Sequence, residues 1–252
     1  STIMGIFLKD INLKGKTALI TGATKGLGRG TAIAIAEAGG NIIAIGRNQS
    51  ELNTLKKEVK KFKVDYLPFN CDVNNYNRMK LFISKIKKLD ILVNNAGVAS
   101  GSIIEMTSQK NLKQIFDINF FSQIRLTQLV LKYLKISKKS SIINVGSVTT
   151  KIADRGTLAY GCSKVALMHA TKIMANEFSN YQIRVNGICP NATNTKMLKK
   201  MDPKSKDKLI SRSFMKKVCE PIDVANLILY LSSKNSEYIN GQVIFMDGGM
   251  EC

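Results

Sequence analysis

The sequence predicts an α/β fold: a single domain over residues 1–252, with one doubly wound parallel sheet of seven strands and helices on both faces. Three observations carry this expectation. Short apolar runs alternate with amphipathic stretches along the whole chain, with no linker, repeat or low-complexity segment between them. A glycine-rich turn joins the first strand to the first helix. Polar clusters fall at the carboxyl ends of the strands, where sheets of this kind bind ligands.

Thr17–Thr21 is the first strand, and Gly22-Ala23-Thr24-Lys25-Gly26-Leu27-Gly28 leads into a helix over 29–38. Glycines there permit a tight turn and a close backbone approach to a pyrophosphate, whose charge suits a helix N-terminus. Asn41–Gly46 is the second strand, ending in Arg47. NAD-binding halves place a ribose-binding acid at this point. Here there is none, and Arg47 and Lys25 stand in that region. Two readings remain: a 2′-phosphate and hence NADP(H), each charge-assisted bond contributing about 1.5–3 kcal/mol, or two solvated basic residues in a lysine-rich chain.

Residues 50–62 form an amphipathic helix and 64–69 a third strand, followed by Cys71-Asp72-Val73. Asp72 reads as an acceptor for an adenine amino group or as the cap of the next helix, 74–87. The fourth strand, 89–93, precedes Asn94-Asn95-Ala96-Gly97, small enough for a flat ring or ribose to lie on the backbone. One long helix spans 108–134 with Asn119 inside it. Asparagine has low helix propensity and is better tolerated where it holds something, such as a water. Strand 140–146, helix 159–178 and strand 182–189 follow, then Pro190-Asn191-Ala192-Thr193-Asn194-Thr195. The polar segment 196–217 is weakly hydrophobic and reads as a lid. Pro221 opens the last helix, and 239–246 supplies the seventh strand.

Composition narrows the function classes. With 44% hydrophobic residues, the 252-residue chain has ample material for a core. No apolar run reaches the length of a membrane span, and the apolar start is too short for a signal-peptide core. The expectation is a cytoplasmic protein with no membrane partner. The five cysteines (71, 162, 189, 219, 252) are odd in number and lack C-x-x-C spacing, so reduced, mostly buried thiols are expected rather than disulfides or zinc. His169, the only histidine, lies about half a helical turn around from Tyr160. A histidine-based triad and a multi-histidine metal site are therefore unavailable. The net charge of +20 raises nucleic-acid binding. The lysines are scattered, however, and no aromatic-rich basic patch accompanies them, so no nucleic-acid partner is expected.

Tyr160 and Lys164 are four apart and share one helix face. Ser147 follows a buried strand. Strand end, loop and helix can bring hydroxyl, phenol and ammonium together for proton transfer at an oxygen. An ammonium beside a phenol lowers the phenol's pKa. The alternative is a buried tyrosine and an exposed lysine on an ordinary helix.

Taken in order, T-G-A-T-K-G-L-G, C-D-V, N-N-A-G, Asn119, Ser147 and Y-G-C-S-K resemble the short-chain dehydrogenase/reductase family from residue 15 to residue 249. The chain is similar to its 3-oxoacyl-[acyl-carrier-protein] reductases and to gluconate 5-dehydrogenase-like members. The resemblance implies a Rossmann fold, with Tyr160 as general acid/base and Ser147 bonding the substrate oxygen. Lys164 would bind the nicotinamide ribose and depress Tyr160, and Asn119 would hold a water in the proton path. The turn of Gly22, Thr24, Lys25, Gly26, Leu27 and Gly28 would take the pyrophosphate. Asp72 and Val73 would meet the adenine, and Asn95, Ala96 and Gly97 the ribose. Pro190, Thr193 and Thr195 would meet the nicotinamide end. Lys25 and Arg47 match members that prefer NADP(H), and members commonly form homotetramers through the two long helices and the C-terminal strand.

Two departures touch the substrate mouth. Asn191 replaces a glycine after Pro190, although asparagine tolerates left-handed backbone, and Cys219 replaces another before the last helix. The implied reaction is NADPH-dependent reduction of a ketone, or the reverse, on a small-molecule or carrier-bound carbonyl. Lys151, Arg155, Lys196, Lys199 and Lys200 flank the mouth and suit an anionic substrate. A 3-oxoacyl group on acyl carrier protein is the first expectation and a keto-sugar acid of the gluconate type the second. Lys138 and Lys139 could help dock a carrier, whereas Tyr181 stands where carrier-specific reductases tend to have a basic residue. A non-catalytic NADP(H) sensor is the competing class.

Overall fold

The computed structural model describes residues 11–199 and 201–250. The expected sheet is present: β1 (Thr17–Thr21), β2 (Asn41–Gly46), β3 (Tyr66–Asn70), β4 (Ile91–Asn94), β5 (Ser140–Val145), β6 (Ile183–Pro190) and β7 (Val243–Met246), all parallel, in the order 3-2-1-4-5-6-7. The order reverses between β1 and β4, which opens a crevice at their carboxyl ends.

Alternation along each strand builds two cores. Ala18 and Ile20 of β1, Ile42 and Ala44 of β2, and Ile91 and Val93 of β4 face one layer. That layer holds α1 (Gly26–Glu37), α2 (Gln49–Val59) and α9 (Pro221–Ser232), through Ile35, Leu52, Leu55 and Ile228. Leu19, Ile43, Ile45 and Leu92 point the other way. They meet α3 (Tyr76–Ile83), α5 (Ser122–Ser137) and α6 (Leu158–Glu177) through Met79, Ile83, Leu126, Val130 and Met174. Each buried Leu, Ile, Val or Met among them contributes roughly 1.5–3 kcal/mol, so both faces are strongly specified.

The long helix expected over 108–134 is three pieces: α4 (Gln109–Phe116), a π-helical turn (Asp117–Phe121) and α5. Asn119 sits inside the π turn, where the backbone is rewound next to the site. Residues 196–217 form two short helices, α7 (Lys196–Lys199) and α8 (Pro203–Arg212). The Asp202 side chain caps α8, and Pro203 opens it. Asn191 keeps ordinary backbone, without the left-handed conformation its residue type would tolerate. Cys71 and Cys189 are buried as expected, whereas Cys162 is exposed and Cys219 half-buried; Cys252 lies outside the described residues. His169 is exposed, away from Tyr160. Among the described residues no helix is long and apolar enough to cross a membrane.

Candidate active site

At the β1 carboxyl end, the Thr21 hydroxyl accepts the N–H groups of Asn95 (3.0 Å) and Ala96 (2.9 Å). The Asn95 amide donates back to Thr21 O at 2.8 Å and Gly22 O at 3.3 Å. Asn95 therefore acts as a prop for the glycine turn, a function its sequence position did not reveal. Gly22 and Gly26 have φ of 63° and 49°. A Cβ on Gly28 would lie 2.2 Å from Gly22 O, so only glycine fits. No side chain caps α1, and the N–H groups of a first helical turn have no intrahelical partner. This tight, uncapped, N–H-rich cradle fits a pyrophosphate.

The adenosine end lies where β2 meets that turn. Gly46 packs so closely that a Cβ would fall 2.4 Å from the Thr24 methyl. Lys25 and Arg47 are exposed here, at 52% and 70%, and each has a carboxylate. Arg47 pairs with Asp72 at 3.7 Å, and Lys25 with Glu51 at 2.7 Å. The carboxylate beside Lys25 thus comes from the first turn of α2. Asn48 caps that helix by accepting the Glu51 N–H. An Asn-x-x-Glu before an apolar pattern marks such a turn and was the available signal. Asp72 accepts the Asn74 N–H at 2.9 Å, but α3 is capped by Asn75. Of the two readings of Asp72, the helix cap is therefore wrong. Val73 packs on the second core.

The proton-transfer groups converge as expected, with different electrostatics. Tyr160, near the N-terminus of α6, lies beside Ser147, just past the end of β5, with Lys164 Nζ 6.0 Å from its ring centroid. Burial pushes the phenol up from its ordinary value; the Ser147 hydroxyl lowers it, and Cys189 raises it. The net direction is upward, opposite to the expectation that Lys164 depresses it. Lys164 is only 3% exposed, and its ammonium donates to Val145 O at 2.8 Å. Burial pulls Lys164 down to about 8. The buried Cys189 thiol lies 3.4 Å from the Thr150 hydroxyl and is raised by burial.

Asn119, fully buried, clamps Val98. It accepts the Val98 N–H and donates to Val98 O, both at 2.9 Å, and donates to Ser163 Oγ at 3.1 Å. Its side chain is thereby committed to protein. A Cβ on Gly97 would lie 3.3 Å from both Asn119 Oδ1 and Lys164 Nζ, so these groups share one small space. Gln123 donates to Ala96 O at 2.7 Å, and Asn94 bonds Asn144 and Thr127 beneath the site. Sequence alone did not single out Gln123, Thr127 or Asn144, whose partners lie on other elements.

At the mouth, Thr195 packs on the turn, its methyl 3.1 Å from where a Gly26 Cβ would lie. Thr193, nearly buried, bridges to Cys219, and Pro190 ends β6. Lys151 is engaged within the protein. Its ammonium donates to Met250 O (2.7 Å), pairs with Asp247 (3.3 Å) and lies over the Phe245 ring. Asp154 holds Lys208 (2.8 Å) and Arg212 (2.9 Å) of α8. Behind them Val148, Ile152, Met250 and Leu209 pack together. Arg155 and Lys199 are exposed; the side chains of Lys196 and Lys200 lie outside the described residues.

A coenzyme cradle at a sheet reversal, with a hydroxyl, phenol and ammonium beside it, defines a dinucleotide-dependent oxidoreductase. The family described as Enoyl-(Acyl carrier protein) reductase matches residues 22–251. The chain is 31% identical over 244 residues to the 3-oxoacyl-[acyl-carrier-protein] reductase FabG of Thermotoga maritima, covering 95% of this chain and 99% of that protein. Its fold is similar to 7α-hydroxysteroid dehydrogenase complexed with NADH and 7-oxo glycochenodeoxycholic acid (TM-score 0.92, 28% identity, 97% of this chain and 98% of that one). It is also similar to L-sorbose reductase from Gluconobacter frateurii complexed with NADPH and L-sorbose (TM-score 0.88, 27% identity, 96% and 98%). The chain belongs to the short-chain dehydrogenase/reductase family. It is a dehydrogenase/reductase acting on CH–OH/C=O groups, which removes the non-catalytic sensor as a reading.

Proposed function

We propose that the chain is an NADPH-dependent reductase of a 3-oxoacyl thioester, with Tyr160 as the proton donor. The observation that carries the reading is the grouping of Ser147, Tyr160 and Lys164 at the edge of the glycine cradle. The bound nicotinamide supplies the hydride. Gly22, Gly26 and Gly28 would hold the pyrophosphate, Asp72 and Val73 the adenine, Ala96 and Gly97 the ribose, and Pro190, Thr193 and Thr195 the nicotinamide end. Lys25 and Arg47 would meet a 2′-phosphate. Ser147 orients the substrate oxygen, and Tyr160 gives it the phenolic proton. Lys164 holds positive charge beside the developing phenolate. Asn119, by clamping Val98, fixes the backbone that walls this space.

Three features support an acyl substrate over a sugar acid. Lys151 is committed to Asp247 and Met250, and Lys208 and Arg212 to Asp154, so these three cations are engaged within the protein. The mouth is backed by the apolar Val148, Ile152, Met250 and Leu209. Lys135 stacks 3.6 Å from the Tyr181 ring centroid, which restores positive charge where a carrier-binding cation was missing. Exposed Phe121, Val165 and Ile173 on the π turn and α6, with Phe245 on β7, support a homotetramer. The segment 196–217 serves as the lid, fastened through Asp154.

The test is Tyr160→Phe assayed with acetoacetyl thioesters and 5-ketogluconate. NADPH binding should persist while turnover falls about 10²–10⁴-fold, the worth of general acid catalysis. Near-normal turnover would remove Tyr160 from the chemistry, and preference for the ketogluconate would overturn the substrate.

A further inference from the structure

We propose that Glu51 is a coenzyme-selectivity residue: it competes with the 2′-phosphate for Lys25 and so restrains the preference for NADPH that Lys25 and Arg47 would otherwise impose. The inference rests on the reading that these two cations meet a 2′-phosphate.

The geometry is local and specific. Glu51 Oε1 lies 2.7 Å from Lys25 Nζ, a tighter pair than the 3.7 Å contact of Arg47 with Asp72. Glu51 is the less exposed member of its pair, at 25% against 52% for Lys25. Its backbone is fixed at both ends: its N–H goes to the Asn48 cap, and its carbonyl accepts the Thr54 hydroxyl at 2.9 Å. The carboxylate therefore stands at the mouth of the adenosine end, while Lys25 is the more exposed partner on a long stem. Lys25 follows Thr24, whose methyl is pressed against Gly46, so the pair sits directly over the carboxyl end of β2.

The four side chains comprise two cations and two carboxylates, so their formal charges cancel. An incoming 2′-phosphate must draw Lys25 from Glu51 and then lie close to that carboxylate. A ribose carrying only a 2′-hydroxyl pays neither cost. Selectivity is thus set by a balance, and shortening the carboxylate side of that balance should favour the phosphate. The fold itself leaves the choice open, since one similar structure holds NADH and another NADPH.

A purely structural Lys25–Glu51 bridge, fastening α2 to the glycine turn, would move both coenzymes together. The two roles separate by direct binding. NADPH and NADH affinities are measured by coenzyme fluorescence titration at fixed ionic strength for the parent, Glu51→Gln, Lys25→Ala, Arg47→Ala and Lys25→Ala/Glu51→Gln. Glu51→Gln should tighten NADPH about three- to tenfold, the size expected of one screened charge beside a phosphate, with NADH changed less than about twofold. In the Lys25→Ala background the gain should shrink to less than half. An unchanged or lower NADPH:NADH ratio in Glu51→Gln overturns the proposal, as does an undiminished gain without Lys25. If Lys25→Ala and Arg47→Ala weaken both coenzymes equally, the 2′-phosphate reading has failed and the proposal falls with it. If they weaken NADPH alone while Glu51→Gln leaves the ratio fixed, only the role of Glu51 is refuted.

Discussion

Replacing Lys164 with methionine should change how stability depends on pH, and the magnitude follows from burial. Lys164 is held at about 8 in the fold, mainly by desolvation, against 10.5 for the ordinary side chain. Between those values the unfolded chain keeps a proton that the native chain has released. Stability therefore rises with pH across this window, and the deficit below pH 8 is the energy of burying the ammonium. The full difference of 2.5 units corresponds to about 3.4 kcal/mol, of which about 2.5 kcal/mol falls between pH 7 and pH 10. Lys164→Met lacks the titration. Guanidinium unfolding of parent and variant, at one protein concentration and both pH values, should show the parent gaining about 2.5 kcal/mol on the variant as pH rises. Tyr160 titrates in both proteins and largely cancels in the comparison. Parallel pH dependence would mean that Lys164 reaches water freely and that its burial costs nothing.

Two further outcomes test the surroundings. Gly28→Ala puts a Cβ 2.2 Å from Gly22 O and should abolish detectable NADPH binding by fluorescence, while circular dichroism shows whether the fold survives; retained binding would refute the cradle. Asp154→Ala removes the partner of both Lys208 and Arg212 and should speed proteolytic cleavage within 199–217 severalfold and raise KM more than it lowers kcat. Burial alone would raise the Asp154 carboxyl, but the bonds and charges of Lys208 and Arg212 outweigh it and hold it below the usual value. The fastening is therefore present above the ordinary carboxylate range and lost as pH falls through the lowered value.

What the sequence made legible is what depends on local pattern. Apolar alternation placed β1, β2 and β5 within a residue of their observed ends, and the i,i+4 spacing of Tyr160 and Lys164 put both on α6 beside Ser147. What stayed hidden depends on distance through space. The π turn at Asp117–Phe121 reads in the sequence as part of one continuous helix, because no glycine or proline interrupts the residues around it. The pairing of Lys25 with Glu51 joins the start of α1 to the start of α2. The raised Tyr160 reflects burial under several elements, a quantity that spacing along one helix does not encode. Lys151 looked like a substrate cation until the C-terminal residues Asp247 and Met250 came to lie beside it.

The upward shift of Tyr160 bears on the direction of the reaction. To oxidise an alcohol, the phenol must first be a phenolate, and each pH unit below its pKa costs about 1.4 kcal/mol. To reduce a ketone it must hold a proton, which burial favours. The Ser147 hydroxyl and a nearby ammonium act in the opposite sense, and they matter most once the proton has gone. Lys164 is mostly charged below about pH 8 and mostly neutral above it. At neutral pH the pair is thus a protonated phenol beside a charged ammonium: an acid poised to give up its proton, next to the cation that steadies what remains. In alkaline solution the ammonium discharges, and the phenolate needed for oxidation loses its counter-charge as it becomes accessible. On the proposed reading, burial holds Tyr160 near pH 7 in the protonated form that can give its proton to a carbonyl oxygen, with the Lys164 ammonium beside it.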